Sequence, residues 1–535
     1  MERKYGEGVW GMIKDPAPVV MTAKGAVRGE NKQGVAVFHG IPYGDNCDGE
    51  YRFLPPRPAK AWEDVKDCTK NAPVAAQFGS SIVISSPLGD YFSGGHPENF
   101  GTENETQSAS DCLTVNVLTP QLPDDSNDNV YPKKPVLVYF HGGGFTTGTG
   151  TLVLGADQWV REEDFVLVGV NHRLGVLGYL YLGDFDEKYA ESGTVGMLDL
   201  VLALEWVRDN IAVFGGDPEQ VTIMGESGGC MKVNNLMAME KAKGLFHRAI
   251  GVSGSNPVGT LSKEQGTASA LNLLKSLGLD RNQWQQLLTL PAEDLIKASM
   301  VGGLMGFSPV ADDINLPYNP KGEYIAPEIS KDIPLLVGSS EDELAVFCYE
   351  QAKNVTWESL SEVLQAGGGG MMAMPPMSPE KAEEVIRVYK EKDKIEADAP
   401  HLYLRIASFA SGLGGGAWYQ AAAKANQGGA PVYHYVAGCQ IPLPGNAEGR
   451  KFAWHTADLP LQMRIVRYPE QEWLSRNMAH AWAAFIRTGS PSTAELEWKA
   501  FETDNPQVMV FGNSPEETGC QLDPYKEMRE ILGGE

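Results

Sequence analysis

The sequence predicts an α/β fold: a large, mostly parallel central sheet flanked by helices, with a small antiparallel sheet at the N-terminal end. Three observations predict it. Between about residues 135 and 340, short β-branched apolar runs alternate with segments of helical period. The runs are apolar at nearly every position rather than at every second one, the pattern of strands covered by helices on both faces. The N-terminal part has a different texture, with three short runs split by glycines.

Taken in order, residues 19–22, 26–30 and 35–38 read as the small antiparallel set. Residues 136–140 (Val-Leu-Val-Tyr-Phe) read as the first buried strand and 166–171 as the second. Apolar side chains at 197, 198, 201, 204, 206 and 207 give residues 197–210 a helical period. Strands follow at 221–224, 249–252 and 335–337, with a helix over 231–242 after the first of these. Farther on, 432–436 reads as a strand and 474–487 as an amphipathic helix. Residues 80–110, rich in Ser, Gly, Asn and Glu, read as a long surface loop, and the Gly/Met/Pro tract 367–376 as an exposed connector. No internal repeat and no convincing linker divides the chain, so residues 1–535 read as a single domain.

Composition narrows the function. The 535 residues carry 44 Lys and Arg against 69 Asp and Glu, a net charge of −25. Such a surface repels phosphate backbones and anionic membranes, which disfavours nucleic acids and anionic membrane surfaces as partners. No apolar run approaches the ~20 residues of a membrane span. The start, Met1-Glu2-Arg3-Lys4, lacks the apolar core of a secretory signal, so the chain is expected in the cytoplasm unless a leader was removed. Cysteines at 47, 68, 112, 230, 348, 439 and 520 are odd in number and show no C-x-x-C spacing, which argues against a zinc or disulfide framework. The N-x-T patterns at Asn104 and Asn354 are too short to establish secretion.

The chemistry centres on Gly225-Glu226-Ser227-Gly228-Gly229, a G-x-S-x-G pattern between the strand at 221–224 and a helical segment. In that context it reads as a nucleophile elbow, a turn so tight that its glycines are sterically required and the serine hydroxyl is exposed at the sheet edge. A serine hydroxyl needs a base, a group that orients the base, and donors for the developing oxyanion. His141-Gly142-Gly143-Gly144-Phe145 directly follows a strand and is an HGGG-type element. The N–H groups of Gly143 and Gly144, with that of Gly228, are the candidate oxyanion donors. The acid follows the serine in this chain order, and Glu341, Asp342 and Glu343 all sit just past the strand at 335–337. Four histidines come later. His434 lies in a strand, His480 in a helix and His401 in a charged helical region, whereas His455 lies in a loop beyond a strand, where a base can reach over the sheet.

These pieces resemble the type-B carboxylesterases, the family of cholinesterases, mammalian carboxylesterases and bacterial para-nitrobenzyl esterases. The matches run along most of the chain. They include Phe38-His39-Gly40-Ile41-Pro42-Tyr43, Arg52-Phe53, Asp111-Cys112-Leu113, Asn171-His172-Arg173-Leu174-Gly175, Phe214-Gly215-Gly216-Asp217-Pro218 and Thr488-Gly489-Ser490-Pro491. The resemblance implies an α/β-hydrolase fold and a serine hydrolase that cleaves carboxylic esters through an acyl-enzyme, with no metal or organic cofactor. It places the acid on Glu343, with Leu344 where the family has glycine, and the base on His455, with Asp458 where the family has glutamate. It implies supporting roles near the triad for Glu226 and Ser253 and a structural ion pair for Arg173 and Asp199. Amidase, carbamate hydrolase and lipase activities would use the same triad. A non-catalytic adhesion homologue is opposed by Ser227 and the intact glycine loop.

Four departures carry expectations. Gly228 replaces the family's alanine, which implies a looser elbow and a slightly roomier pocket. Ser110 replaces a glutamate and removes the family's ion-pair partner for Arg52. The family cysteine that bridges to the position of Cys112 falls near Ala75; Cys68 is close enough to substitute, and a reduced pair is equally consistent. The loop matching residues 77–110 carries Phe78, Tyr91, Phe92 and Phe100 but no tryptophan, so a cation–π seat for choline is missing and choline esters are disfavoured.

Overall fold

A computed structural model describes residues 17–78, 106–123, 132–255, 260–300, 306–317, 326–368, 374–392 and 398–533. Eleven strands form one sheet. In chain order they are β1 (Glu30–Lys32), β2 (Val35–Pro42), β3 (Thr114–Thr119), β4 (Lys134–Phe140), β5 (Val166–Val170), β6 (Gly216–Glu226), β7 (Arg248–Val252), β8 (Leu335–Ser340), β9 (Val432–Ala437), β10 (Gln507–Phe511) and β11 (Gly519–Leu522). Across the sheet the order is β11-β10-β9-β8-β7-β6-β4-β5-β3-β2-β1. The seven strands from β10 to β5 are mutually parallel, and the flanking pairs are antiparallel.

The apolar-throughout strands follow from two buried faces. In β4, Val136, Val138 and Phe140 point into one core cluster while Leu137 and Tyr139 point into the other. In β5, Val166, Val168 and Val170 face the first cluster and Leu167 the second. Period-two side-chain alternation divides each strand between two hydrophobic layers, so neither face reads as polar. The helix α1 (Val195–Asn210) is likewise buried nearly all round, and its Asp199 is fully buried with Arg173. That guanidinium donates from Nε to Asp199 Oδ2 at 2.9 Å and from Nη2 to Oδ1 at 2.7 Å, and the Arg173 backbone N–H adds a third bond at 3.0 Å. Among the described residues, no helix is long and apolar enough to cross a membrane.

The N-terminal expectation is corrected in part. Val19–Thr22 and Gly25–Arg28 pair antiparallel and Lys66–Asp67 joins them in parallel, making a small separate sheet. Residues 35–38 belong instead to β2, an edge region of the main sheet. The reason is burial on both faces: Val35 and Val37 enter one core cluster, Phe38 and Ile41 the other. The tract 367–376 also differs from an exposed connector where it is described, because Met374 is buried in the second core cluster and its carbonyl accepts from Gly368 N at 2.9 Å. Arg52, without the family's glutamate, pairs with Asp48 at 2.5 Å and donates to the carbonyls of Leu287 and Leu290. All seven cysteines are free, and the thiol beside Cys112 is that of Cys47 rather than Cys68.

Removing one member of a buried bidentate ion pair strands the other charge. Asp199→Ala is expected to lower unfolding free energy by about 3–5 kcal/mol. Chemical denaturation monitored by tryptophan fluorescence checks this, and a loss below about 1 kcal/mol, typical of an exposed pair, would contradict it.

Candidate active site

β6 ends at Glu226, and Ser227 turns the chain into the helix α2 (Gly228–Ala238) with φ 55° and ψ −121°, a strained conformation for a residue with a side chain. The strain is held from several sides. Ser227 N donates to Val252 O at the end of β7 at 2.8 Å. A Cβ on Gly225 would lie 2.2 Å from the Gly229 backbone, and one on Gly229 would lie 2.0 Å from Phe140 O, so both glycines are required for β6, the turn and α2 to approach this closely.

The candidate acid lies just past β8 and the candidate base in the segment beyond β9. Past β8, Glu343 is fully buried; its Oε1 accepts from Ser340 N at 2.7 Å and its Oε2 lies 2.5 Å from His455 Nδ1. The neighbouring carboxylates are otherwise engaged. Asp342 accepts from Arg405 Nε at 3.0 Å and Ala453 N at 3.0 Å, and lies 3.1 Å from His401 Nε2. Burial would raise its pKa, but Arg405 and then His401 outweigh that and hold the carboxyl well below the usual range. Glu341 pairs with Arg405 at 3.0 Å. His434 Nδ1 meets Val337 O, and His480 pairs with Glu163, so neither approaches the elbow.

The second imidazole nitrogen, His455 Nε2, lies 3.3 Å from Glu226 Oε1. Among the described residues, the half-buried Ser227 hydroxyl has no hydrogen-bond partner. Burial lowers the affinity of His455 for a proton, but Glu343 and then Glu226 outweigh it and push the imidazole up to about 9. Burial pushes Glu226 up to about 8 and Asp458 up to about 6, with the Glu343 charge adding to both. Asp458 accepts from Tyr435 Oη at 3.0 Å and Gln462 Nε2 at 2.8 Å. Ser253 is buried with φ 49°, and its hydroxyl has no hydrogen-bond partner among the described residues.

The glycine loop leaves β4 at the same sheet edge. Gly143 (φ 81°) and Gly144 (φ 63°) take left-handed conformations, and a Cβ on Gly142 would lie 2.6 Å from Glu226 Oε2. Here the expectation of a roomier pocket is overturned. A Cβ at residue 228 would lie 2.2 Å from Gly144 O and 2.4 Å from Gly144 Cα, so the loop already fills the space that the missing methyl would occupy. One residue absent from the sequence reading stands at this point. Lys232, fully buried on α2, donates from Nζ to His141 O and to Gly144 O, both at 2.9 Å. Its signal in the sequence was a single lysine among Cys230, Met231 and Val233, one helical turn past the elbow.

Known proteins resemble this chain over nearly its whole length. The family model for the carboxylesterase family matches residues 16–528. The chain is 31% identical to the para-nitrobenzyl esterase of Bacillus subtilis, covering 96% of this chain and 98% of that protein. It is 30% identical to the phenmedipham hydrolase of Pseudarthrobacter oxydans, covering 94% and 97%. Among solved structures, a carboxylesterase of Geobacillus stearothermophilus superposes with a TM-score of 0.76 at 31% identity, over 96% of this chain and 99% of that one.

The Asp342 carboxylate is depressed in the folded state, so its contribution to stability is full above the ordinary carboxylate pKa of about 4 and fades as pH falls below it. Asp342→Asn is therefore expected to lower the melting temperature at pH 7 and to differ progressively less from the parent below about pH 4. A gap that stays constant across that range in calorimetric scans would contradict the assignment.

Proposed function

The chain belongs to the carboxylesterase family and hydrolyses carboxylic esters, and on that premise we propose that Ser227, His455 and Glu343 carry the reaction. The observation that carries the reading is the 2.5 Å contact between Glu343 and His455 at the sheet edge where the strained Ser227 turn emerges. His455 Nε2 takes the Ser227 proton as Oγ attacks the ester carbonyl carbon. Glu343 holds the imidazole in the Nδ1–H tautomer and stabilises the imidazolium. The N–H groups of Gly143, Gly144 and Gly228 receive the negative charge that develops on the carbonyl oxygen. Collapse of the tetrahedral species breaks the bond to the alcohol oxygen, which takes the proton from Nε2. Water then attacks the acyl-serine with the same imidazole as base, and the acid leaves.

Glu226 sits on the far side of the imidazole and favours its protonated form. That ties turnover to pH, because the base acts only when Nε2 is free of a proton.

Ser227→Ala is expected to keep the fold and to lose at least about 10⁴-fold in kcat on para-nitrophenyl esters. Near-parental turnover by the folded variant would overturn the assignment. Glu226→Gln removes a carboxylate beside the imidazole, so the His455 pKa falls and the acid limb of kcat/KM moves to lower pH by about one unit. A limb that stays in place or moves to higher pH would contradict the role given to Glu226.

A further inference from the structure

We infer that Lys232 is a positioning residue of the oxyanion hole: its side chain ties the carbonyls of His141 and Gly144 to α2 and so fixes the peptide N–H groups of Gly143 and Gly144 beside Ser227. The inference rests on the reading of those N–H groups as oxyanion donors.

A C=O and the next residue's N–H belong to one rigid unit, so fixing the carbonyl fixes the donor. The two donor peptides are those whose carbonyls belong to Gly142 and Gly143. Gly142 O faces His141 Nδ1 at 2.9 Å, and Gly143 O accepts from Thr146 N at 3.2 Å and Thr147 N at 3.1 Å. The peptides on either side present His141 O and Gly144 O, and Lys232 Nζ takes both at 2.9 Å. Four consecutive carbonyls are thus held, and Lys232 holds the outer two. It does so from α2, whose first residue, Gly228, supplies the third donor. The spacing from 228 to 232 is one helical turn on one face, so loop donors and helix donor are joined in one body.

Gly228 is the other half of the device. Gly144 O, the carbonyl that Lys232 takes, occupies the place where a methyl at 228 would go. The glycine makes the room and the lysine fills the carbonyl's hydrogen-bonding capacity. A buried amine demands acceptors, and burial, opposed by the Glu226 charge, brings Lys232 down to about 7. The clamp survives loss of that proton, since a neutral amine keeps two N–H donors for two carbonyls. The adjoining His141 and His172 are pushed towards the neutral form, chiefly by burial and then by the Lys232 charge.

The test uses Lys232→Met, which keeps the length and removes the donors. It is run on para-nitrophenyl butyrate and on an aryl trifluoromethyl ketone, which adds to a nucleophilic serine and places an oxyanion in the hole. The expected result is a loss of about 10- to 100-fold in kcat with KM within about twofold, and ketone affinity falling by the same factor as kcat/KM. Gly228→Ala, which presses on the same carbonyl from the other side, is expected to show the same split, and it carries the test if the lysine variant does not fold. The double variant is expected to lose no more than the worse single one, because both act through one carbonyl. Parental kcat and ketone affinity in either folded single variant, a loss confined to KM, or additive losses in the double variant would overturn the inference. Failure of the underlying reading shows separately, as unmodified enzyme that a fluorophosphonate does not label at Ser227.

Discussion

The contact between Glu343 and His455 is the interaction on which the site depends, and it exists because two strand ends are locked together. β8 and β9 are parallel neighbours, so the loops that follow them emerge side by side. Asp342 then welds the loops: its N–H donates to Ala453 O at 2.9 Å and its carboxylate accepts from Ala453 N at 3.0 Å. With residues 342 and 454 bridged, Glu343 and His455 have little freedom except to meet. Asp342 thus sets the position of the carboxylate proposed to orient the imidazole. The cost of burying Asp342 is offset by Arg405 and His401, which face it from the helix α3 (Ala399–Ala410).

Charge is distributed unevenly about the elbow. On the imidazole side stand Glu343, Glu226 and Asp458, all buried. On the oxyanion side stand Lys232 and the peptide N–H groups of the glycine loop. Ester hydrolysis separates charge in the same sense, with a cation forming on the imidazole and an anion on the carbonyl oxygen. A site polarised in advance does not have to reorganise as those charges form. The strained φ of Ser227 places its hydroxyl between the two halves.

Much of this was legible in the sequence, and the misses have physical causes. The strands were visible because both of their faces are buried, although β6 extends from Gly216, well before its apolar core, through polar residues that pattern alone assigns to a loop. Residues 35–38 looked like a separate hairpin because glycines flank them; only the split of Val35 and Phe38 between two core layers reveals the larger sheet. His455 stands out in the sequence because it lies in a loop beyond a strand, and the structure sets it against Glu343. At Gly228 the missing methyl suggests empty space in the sequence, whereas the Gly144 carbonyl occupies that space. Lys232 escaped because periodicity marks a helix interior and says nothing about which carbonyls a lone amine will find there.

The most direct measurement of the central claim is to quench the enzyme during turnover of an ester that deacylates slowly and to map the peptides by mass. The account predicts a stoichiometric acyl mass on the peptide containing Ser227, formed with a burst of alcohol and lost on incubation in water. Turnover with no covalent acyl peptide, or with the acyl group on a different residue, would contradict it.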